Sequence, residues 1–238
     1  MTRAHSKPSH QPDVQSLINI EKEVAEMGVR VSYALAERVA ESKYPGCLNQ
    51  EIDRLVDYLE KEYSIETLKE NPIIKAYRSF YWRLGIDPTK IRPSSEALVR
   101  RILRSKKFPR ISLVVDAGNI ASAKTLVPIG VYDLDKTSPP LTIKLSSGGE
   151  EFTPIGGAPE TLPSRIPILI DSSGVVMHLY PYRDSVKTMV DESTRRVVVI
   201  GAGVPGVADK LLVEAVDLTV RLAERCGWAR LSETILKP

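Results

Sequence analysis

The chain has 238 residues, of which 42% are hydrophobic and 26% are charged. This composition is typical of a folded globular protein and excludes a disordered or collagen-like chain. No uninterrupted apolar run approaches the roughly 20 residues that a membrane-spanning helix requires. The 33 Lys and Arg residues against 30 Asp and Glu residues leave a net charge of +3, which by itself indicates no class of partner.

The first residues of the chain are polar. Residues 1–12 have a basic start but lack the apolar stretch of a secretory signal. We therefore expect a cytoplasmic protein with a disordered tail over 1–12 and one domain over 13–238. The two cysteines, Cys47 and Cys226, lie far apart and neither belongs to a CxxC pair. The sequence thus predicts neither a disulfide framework nor a zinc site.

The first third of the domain has mainly helical spacing. The predicted elements, in chain order, are a helix over 14–27, a strand over 29–36, a helix over 49–62 and a helix over 72–85. Asp13 and Asn49 are suited to begin helices, and Pro72 is suited to a first helical turn. Gly28 and Gly85 are suited to the position after a last turn.

Positive charge is concentrated in residues 75–110. This segment holds eleven Lys or Arg residues against Asp87 and Glu96, a net charge of +9. An amphipathic helix is predicted within it, from Ser94 or Ser95 to about Ser105. The basic residues expected on its outer face and just after it are Arg100, Arg101, Arg104, Lys106 and Lys107. Such a concentration indicates a polyanion partner such as nucleic acid, and a solvated helical face is the alternative.

From residue 111 onward the sequence changes to short β-like runs separated by turn signals. The predicted strands cover 111–115, 130–134, 141–145, 166–170, 175–179 and 196–200. A long amphipathic helix is then predicted over 207–225, followed by Gly227. Helices that precede a series of strands are typical of an α+β fold. We expect a single domain with helices packed around a mostly antiparallel or mixed sheet.

The string from Gly201 to Gly206 is a GxGxxG between a predicted strand and a predicted helix. In doubly wound folds this arrangement binds the pyrophosphate of a dinucleotide. That fold also needs a second parallel strand, ending in an acidic residue about 20 positions further on. The chain after Gly206 offers a helix and too little sequence for such a sheet. We interpret the motif as a turn and expect no nicotinamide or flavin cofactor, with dinucleotide binding as the alternative.

The three histidines do not indicate metal or triad chemistry. His5 and His10 lie in the expected tail, and His178 lies in an apolar run, which is typical of a histidine in a core or on a sheet surface. No nucleophile elbow of the GxSxG type is present. We therefore expect no metal site, no cofactor and no conventional nucleophile.

Five strings, taken in order, resemble one family. They are RPSSEALVRR from Arg92, VVDAGN from Val114, PIGVYDLDK from Pro128, EEFTPIGG from Glu150, and YRDS from Tyr182 with DEST nine residues after it. Together they resemble the B3/B4 domain of the β subunit of bacterial-type phenylalanyl-tRNA synthetase, in a free-standing form. The similarity extends over about residues 28–228, and the ordered set is far more specific than any one string.

The resemblance implies an α+β fold with a β-sandwich of unusual topology wrapped by helices. In the synthetase this domain hydrolyses tyrosine that has been wrongly esterified to phenylalanine tRNA. The chain lacks what an aminoacylation module requires, so it is not a complete synthetase. The partner that the resemblance implies is tRNA or aminoacyl-tRNA.

Two positions depart from the pattern of that family. The synthetase domain usually carries a histidine where this chain has Gly130, and an acidic residue where it has Ile200. We expect the pocket to keep its shape while its chemistry differs.

The remaining polar residues of the matching strings are the candidates for chemistry. Hydrolysis of an aminoacyl ester needs a positioned water, donors for the oxyanion and a group that binds the α-amine. The candidate catalytic residues are Asn119, Asp184 and Glu151. The candidate substrate-binding residues are Arg183, Ser185, Gly156, Gly157 and Arg92. The alternatives are structural, with Asn119 as a helix cap, Arg183 and Asp184 paired with one another or with the rest of the fold, and the glycines in turns.

The sequence therefore predicts a hydrolase of mischarged aminoacyl-tRNA that acts in trans. A non-catalytic RNA- or amino-acid-binding module with the same fold is the alternative. The sequence does not indicate the amino acid, the tRNA or the oligomeric state.

Overall fold

This computed structural model describes residues 14–41 and 44–238, in which a run of helices in the first half of the chain is followed by a run of strands. The tail expected over 1–12 and the predicted cap Asp13 lie outside these residues. The helices are α1 Lys22–Glu26, α2 Asn49–Glu62, α3 Ile65–Leu68, α4 Pro72–Arg83, α5 Ser94–Ser105, α6 Leu113–Thr125 and α7 Asp209–Glu224. The strands are β1 Ile18–Ile20, β2 Arg30–Arg38, β3 Ile129–Asp133, β4 Leu141–Leu145, β5 Glu151–Phe152, β6 Glu160–Thr161, β7 Pro167–Ile170, β8 Val176–Leu179, β9 Arg183–Asp184, β10 Arg196–Gly203, β11 Trp228–Arg230 and β12 Ile235–Lys237.

Two sheets form a β-sandwich. The first sheet has the strand order β1-β4-β7-β8-β9, and the second has the order β11-β2-β10-β3, with β12 also paired to β2. Strands β1 and β4 are parallel, and the other pairs within the two sheets are antiparallel. Strands β5 and β6 form a separate two-stranded ribbon. The α+β class and the mixed sheet predicted from the sequence are confirmed.

The second sheet is buried on both faces. Successive side chains of a strand point to opposite sides, and on β10 Val197 and Val199 pack in the core that contains α2, α5, α6 and α7. Val198 and Ile200 pack in the other core, toward the first sheet. The molecule thus has three layers, with helices, the second sheet and the first sheet in that order.

The helix predicted over 14–27 is wrong. This segment forms a 3-10 turn over Val14–Ser16, then β1 and the short helix α1. Ile18 pairs with Leu141 of β4, so the backbone finds its hydrogen-bond partners in the first sheet. The apolar spacing that favoured a helix arises because β1 and α1 both bury side chains in the same core.

The strand predicted over 111–115 is also wrong, because this run leads into α6. The carboxylate of Asp116 accepts hydrogen bonds from the Ile111 backbone N–H and from Arg110 Nε, both at 2.8 Å. These bonds fix the chain just before the helix. Most residues of α6 are buried, so the helix has almost no polar face and its sequence resembles a buried strand.

The GxGxxG string is not a loop around a ligand. Gly201 and Gly203 lie within β10, which is antiparallel to both of its neighbours. A Cβ on Gly203 would lie 2.4 Å from a methyl carbon of Leu212, and one on Gly201 would lie 2.8 Å from Ser32 Oγ. The turn contains Gly206, which has a φ of +93°. The first two glycines therefore allow α7 to approach the sheet closely.

Cys47 and Cys226 form a disulfide, which corrects the prediction that the cysteines make no such bond. Their separation of 179 residues gives no local motif, and the fold brings the segment before α2 against the end of α7. In the part of the chain that the structure describes, no helix combines the length and apolar character needed to span a bilayer.

Candidate active site

A cavity of about 110 Å³ lies between the two sheets, next to β3, and α5 and α6 close its remaining side. Asn119 of α6 and Asp184 of β9 both line it. Gly130 of β3 and Ile200 of β10, the two positions that depart from the family pattern, line it as well. The structure thus brings two predicted catalytic residues together with both departures.

Asp184 receives two polar contacts inside this cavity. Tyr132 Oη donates to Asp184 Oδ1 at 2.7 Å, and His178 Nδ1 lies 2.8 Å from the same oxygen. His178 and Asp184 are opposite each other in the β8–β9 pair, so the sheet register creates the second contact. The Asp184 side chain is 36% exposed, and solvent can therefore reach the carboxylate.

Two tyrosines hold the imidazole of His178. The rings of Tyr132 and Tyr180 contact it edge-on, with centroids at 6.3 and 6.1 Å. Burial, and for Tyr132 the nearby Asp184 carboxylate, raises the pKa of both hydroxyls well above 10.0. Tyr132 therefore stays protonated as a donor to Asp184. Tyr180 Oη donates to the Gly203 carbonyl at 2.7 Å, which fixes its ring.

Asn119 lies in the middle of α6, so the alternative in which it caps a helix is wrong. Its side chain is half-buried, faces the cavity and makes no hydrogen bond to any residue that the structure describes. A carboxamide in this position can donate to an oxygen of a bound molecule.

Arg183 and Ser185 flank Asp184 and have structural partners. Arg183 Nη2 donates to Glu160 at 2.8 Å, and its guanidinium lies 5.0 Å from the centre of the Tyr182 ring. Of the predicted alternatives, a pair between Arg183 and Asp184 does not form, whereas a pair between Arg183 and another part of the fold does. Ser185 is buried, and its hydroxyl accepts the Lys187 N–H at 3.1 Å.

The other predicted residues of the middle strings do not line the cavity. Glu151 is exposed on β5 and pairs with Thr161 of β6. Gly156 is exposed in a turn with a φ of +74°. The Gly157 N–H donates to the Pro154 carbonyl at 3.1 Å. The structure therefore gives Glu151 and the two glycines no contact with the proposed chemistry.

A buried carboxylate organises the basic helix α5. Glu96 is fully buried, and Arg78 binds both of its oxygens at 2.8 and 2.7 Å. Arg100 lies 3.6 Å and Arg92 4.0 Å from Glu96 Oε1. Arg100 Nη1 also donates to the Ile65 carbonyl at 3.1 Å. The predicted outward position of Arg100 is therefore wrong, because this guanidinium is largely buried in an internal ion-pair cluster.

An open basic groove lies beside this cluster, along α5. We define the groove by six of the residues that line it, namely Lys90, Arg92, Arg100, Arg101, Arg104 and Tyr182. Arg101 and Arg104 are exposed, as predicted. Lys106 and Lys107 are also exposed, and Lys106 lies 3.3 Å from Glu60. Tyr182 lines both the basic groove and the cavity, so the two spaces are adjacent.

His178 is the residue that sequence reasoning missed. It was interpreted as a core or sheet-surface histidine, and it is indeed buried, but it faces the cavity and contacts Asp184. The signal that could have found it is the strand predicted over 175–179 followed by a tight turn. Such a hairpin pairs residues on either side of the turn.

The comparison with protein families agrees with the resemblance. A family model described as the B3/4 domain matches residues 76–217, and no curated protein matches the chain. A solved structure, the crystal structure of an N-terminal fragment of the phenylalanyl-tRNA synthetase β-subunit from Pyrococcus horikoshii, is 17% identical, with a TM-score of 0.48. That match covers 93% of this chain and 54% of the other, so this chain spans about half the length of that fragment. Because the family model matches more than half of the sequence, the chain belongs to the B3/4 domain family.

Proposed function

We propose that this protein binds aminoacyl-tRNA and hydrolyses the ester of a mischarged amino acid in trans. The observation that carries the proposal is the cavity in which Asn119 lies with the hydrogen-bonded group of Tyr132, Asp184 and His178. The resemblance of the five strings to an editing domain supports the same chemistry. The adjacent basic groove supports a polyanionic substrate.

The residues in the cavity can share the work of ester hydrolysis. His178, held at Nδ1 by Asp184, would take a proton from the attacking water at its other ring nitrogen. The Asn119 amide would donate to the carbonyl oxygen as negative charge develops there. The water oxygen bonds to the carbonyl carbon, the bond to the ribose oxygen breaks, and that oxygen leaves with a proton from His178.

Asp184 would have a second role in binding the substrate. Both of its contacts involve Oδ1, and Oδ2 would accept a hydrogen bond from the substrate's α-ammonium group. Such a contact recognises the free amine that every aminoacyl ester carries. This assigns Asp184 a positioning role toward His178 and a binding role toward the substrate.

The basic groove would bind the phosphates of the tRNA acceptor end. Arg101 and Arg104 are exposed on α5, and Lys90 and Arg92 line the same groove. Because Tyr182 borders both spaces, a strand in the groove would lead its terminal ribose into the cavity.

Charged tRNA is used in the cytoplasm, and we place the protein there. Disulfides are rare in that compartment, so the Cys47–Cys226 bond is unusual for a cytoplasmic protein. Titration of the thiols in protein isolated from cells tests whether the bond forms there.

A second candidate function is a non-catalytic module that binds RNA or an amino acid. The two departures favour it, because Gly130 and Ile200 remove polar side chains from the cavity wall. In this case the chain would bind charged tRNA and leave its ester intact.

The experiment that separates the two candidates is deacylation of a panel of tRNAs by the purified full-length protein. Each tRNA is charged with its cognate amino acid or with a non-cognate one, and loss of the ester is followed against buffer alone. We expect the protein to hydrolyse at least one mischarged species and to leave the cognate esters at the level of buffer alone. Binding of charged tRNA without hydrolysis of any species would favour the binding module and overturn the hydrolase.

A further inference from the structure

A second space adjoins the cavity. It has a volume of about 240 Å³ and shares four residues with the cavity, Asn119, Ile129, Tyr132 and Asp184. We call this second space the apolar recess, because its remaining walls are apolar. The residues of these walls are Ile111, Val115, Gly118, Val131, Ile155, Met189 and Val190.

The basic groove, the cavity and the apolar recess form a row. Tyr182 borders the groove and the cavity, whereas Asn119, Tyr132 and Asp184 border the cavity and the recess. The groove and the recess share no lining residue. The polar group around Asp184 thus lies between a basic space and an apolar one.

The rim of the recess exposes three large apolar side chains to solvent. Ile111 is 65%, Ile155 53% and Met189 38% exposed, and apolar side chains grouped around one opening are typical of a binding site. Two of them are fixed to the candidate catalytic group through the backbone. The Ile155 N–H donates to the Asp184 carbonyl at 2.9 Å, and Met189 forms a β-bridge with Tyr132.

We propose that the apolar recess binds the side chain of the esterified amino acid, so that the substrates are aminoacyl-tRNAs with large aliphatic side chains. The inference rests on the proposed function. An aminoacyl-tRNA presents phosphates, then a ribose ester, then a side chain, and the three spaces occur in that same order. With phosphates in the groove and the ester beside Asn119 and Asp184, the side chain enters the recess.

The polarity of each space supports this orientation over the reverse one. The cavity presents hydroxyl, imidazole and carboxylate groups from Ser94, Ser122, Tyr132, His178 and Asp184, which are suited to ribose hydroxyls and an ester. In the recess, Asp184 is the one charged residue, and it lies at the shared border. Beyond that border, a polar side chain would lose water without gaining a partner among the apolar walls.

The test measures binding and hydrolysis separately. Adenosine analogues that carry leucine, alanine, serine or tyrosine through a stable amide at the 3′ position are titrated against the full-length protein by calorimetry. The same four amino acids are then compared as tRNA esters. Since each buried methylene contributes about 10-fold or more to discrimination, we expect the leucyl compounds to exceed the alanyl and seryl ones by at least 10-fold.

Two variants locate the selectivity in the recess. The double variant Ile155→Ala, Met189→Ala removes apolar surface from the rim, and we expect it to lose most of the preference for leucine. Trp82→Ala, which removes another exposed large apolar side chain, on α4, should keep this preference. Equal binding of the leucyl and alanyl analogues, a preference for serine or tyrosine, no binding of any analogue, or unchanged selectivity in the double variant would each overturn the inference. Selective binding of the leucyl analogue without hydrolysis of any ester would remove the hydrolase and leave the recess assignment standing.

Discussion

Gly130 and Tyr132 use the same space on one face of β3. A Cβ on Gly130 would lie 2.2 Å from the Tyr132 hydroxyl oxygen and 2.5 Å from the ring carbon that bears it. The Tyr132 ring therefore lies over a position that must be glycine, and from there its hydroxyl reaches Asp184. The departure at residue 130, where the synthetase domain usually has a histidine, is thus coupled to the contact that orients Asp184.

The first prediction concerns this coupling. Gly130→Ala should displace Tyr132, break its hydrogen bond to Asp184 and lower the free energy of unfolding by about 1–3 kcal/mol through overpacking. Deacylation should fall at least 10-fold, as measured by single-turnover kinetics beside urea unfolding. Gly46→Ala is the matched control, because a Cβ there meets no atom within 4 Å. Unchanged stability and rate in Gly130→Ala would show that the ring is not held as described.

The second prediction concerns the buried carboxylate of α5. Glu96→Gln should lower the free energy of unfolding by about 3–5 kcal/mol, because Arg78 and its neighbours would lose the charge that compensates them in the interior. Urea unfolding measures the change. Glu70→Gln, at an exposed pair with Lys75, should show no measurable change. A Glu96→Gln protein as stable as the parent would mean that the cluster is hydrated.

The third prediction concerns the basic groove. Replacing Arg101 and Arg104 together with alanine should weaken tRNA binding and reduce the steepness of log K against log salt by about 1–2, since each lost phosphate contact removes about 0.9. Filter binding over a range of salt concentrations measures both. Lys22→Ala, at an exposed lysine on α1, should leave the slope unchanged. An identical slope in the double variant would indicate that these arginines form only a solvated face.

The fourth prediction concerns alkaline pH. Burial is the main cause that raises the pKa of six tyrosines above 10.0, and for Tyr63 the value reaches about 12. The six are Tyr44, Tyr63, Tyr77, Tyr81, Tyr132 and Tyr180. A pKa that is higher in the folded state gives stability that is complete below the unfolded value of about 10 and is lost as pH rises through the folded value.

The free energy of unfolding should therefore fall steadily from about pH 10 upward, with the tyrosinate absorbance appearing as the chain unfolds. Urea unfolding at intervals between about pH 8 and pH 11 measures this, and Tyr63→Phe should flatten the decline. A constant unfolding free energy across this range would contradict the burial of these hydroxyls.

The sequence was most informative where one helix face is apolar and the other polar. The helices predicted over 49–62, 72–85, 94–105 and 207–225 are confirmed within two residues at each end, because amphipathic spacing depends on neighbours in the chain. The strand prediction over 111–115 was wrong because α6 is buried on most of its surface and lacks that contrast.

The site was predicted only in part because several of its contacts depend on strand register and on packing between elements. Asn119 and Asp184 were found through the matching strings, and the structure places both in the cavity. The role of His178 depends on the register between β8 and β9, and the inward position of Arg100 depends on Glu96 and the Ile65 carbonyl. The disulfide joins residues 179 positions apart. No local pattern in the sequence encodes the disulfide or the contact between Arg100 and the Ile65 carbonyl.

The most direct test of the central claim is the single-turnover deacylation rate of Asp184→Asn beside the parent and Asp53→Asn, a control at an exposed aspartate on α2. Asparagine has nearly the same shape but removes the charge that, in the proposed mechanism, orients His178 and binds the α-ammonium group. We predict a folded protein that binds tRNA as the parent does. Its rate of hydrolysis of the mischarged ester should be lower than that of the parent by at least about 100-fold. A rate equal to that of the parent would contradict the assignment of catalysis to this cavity.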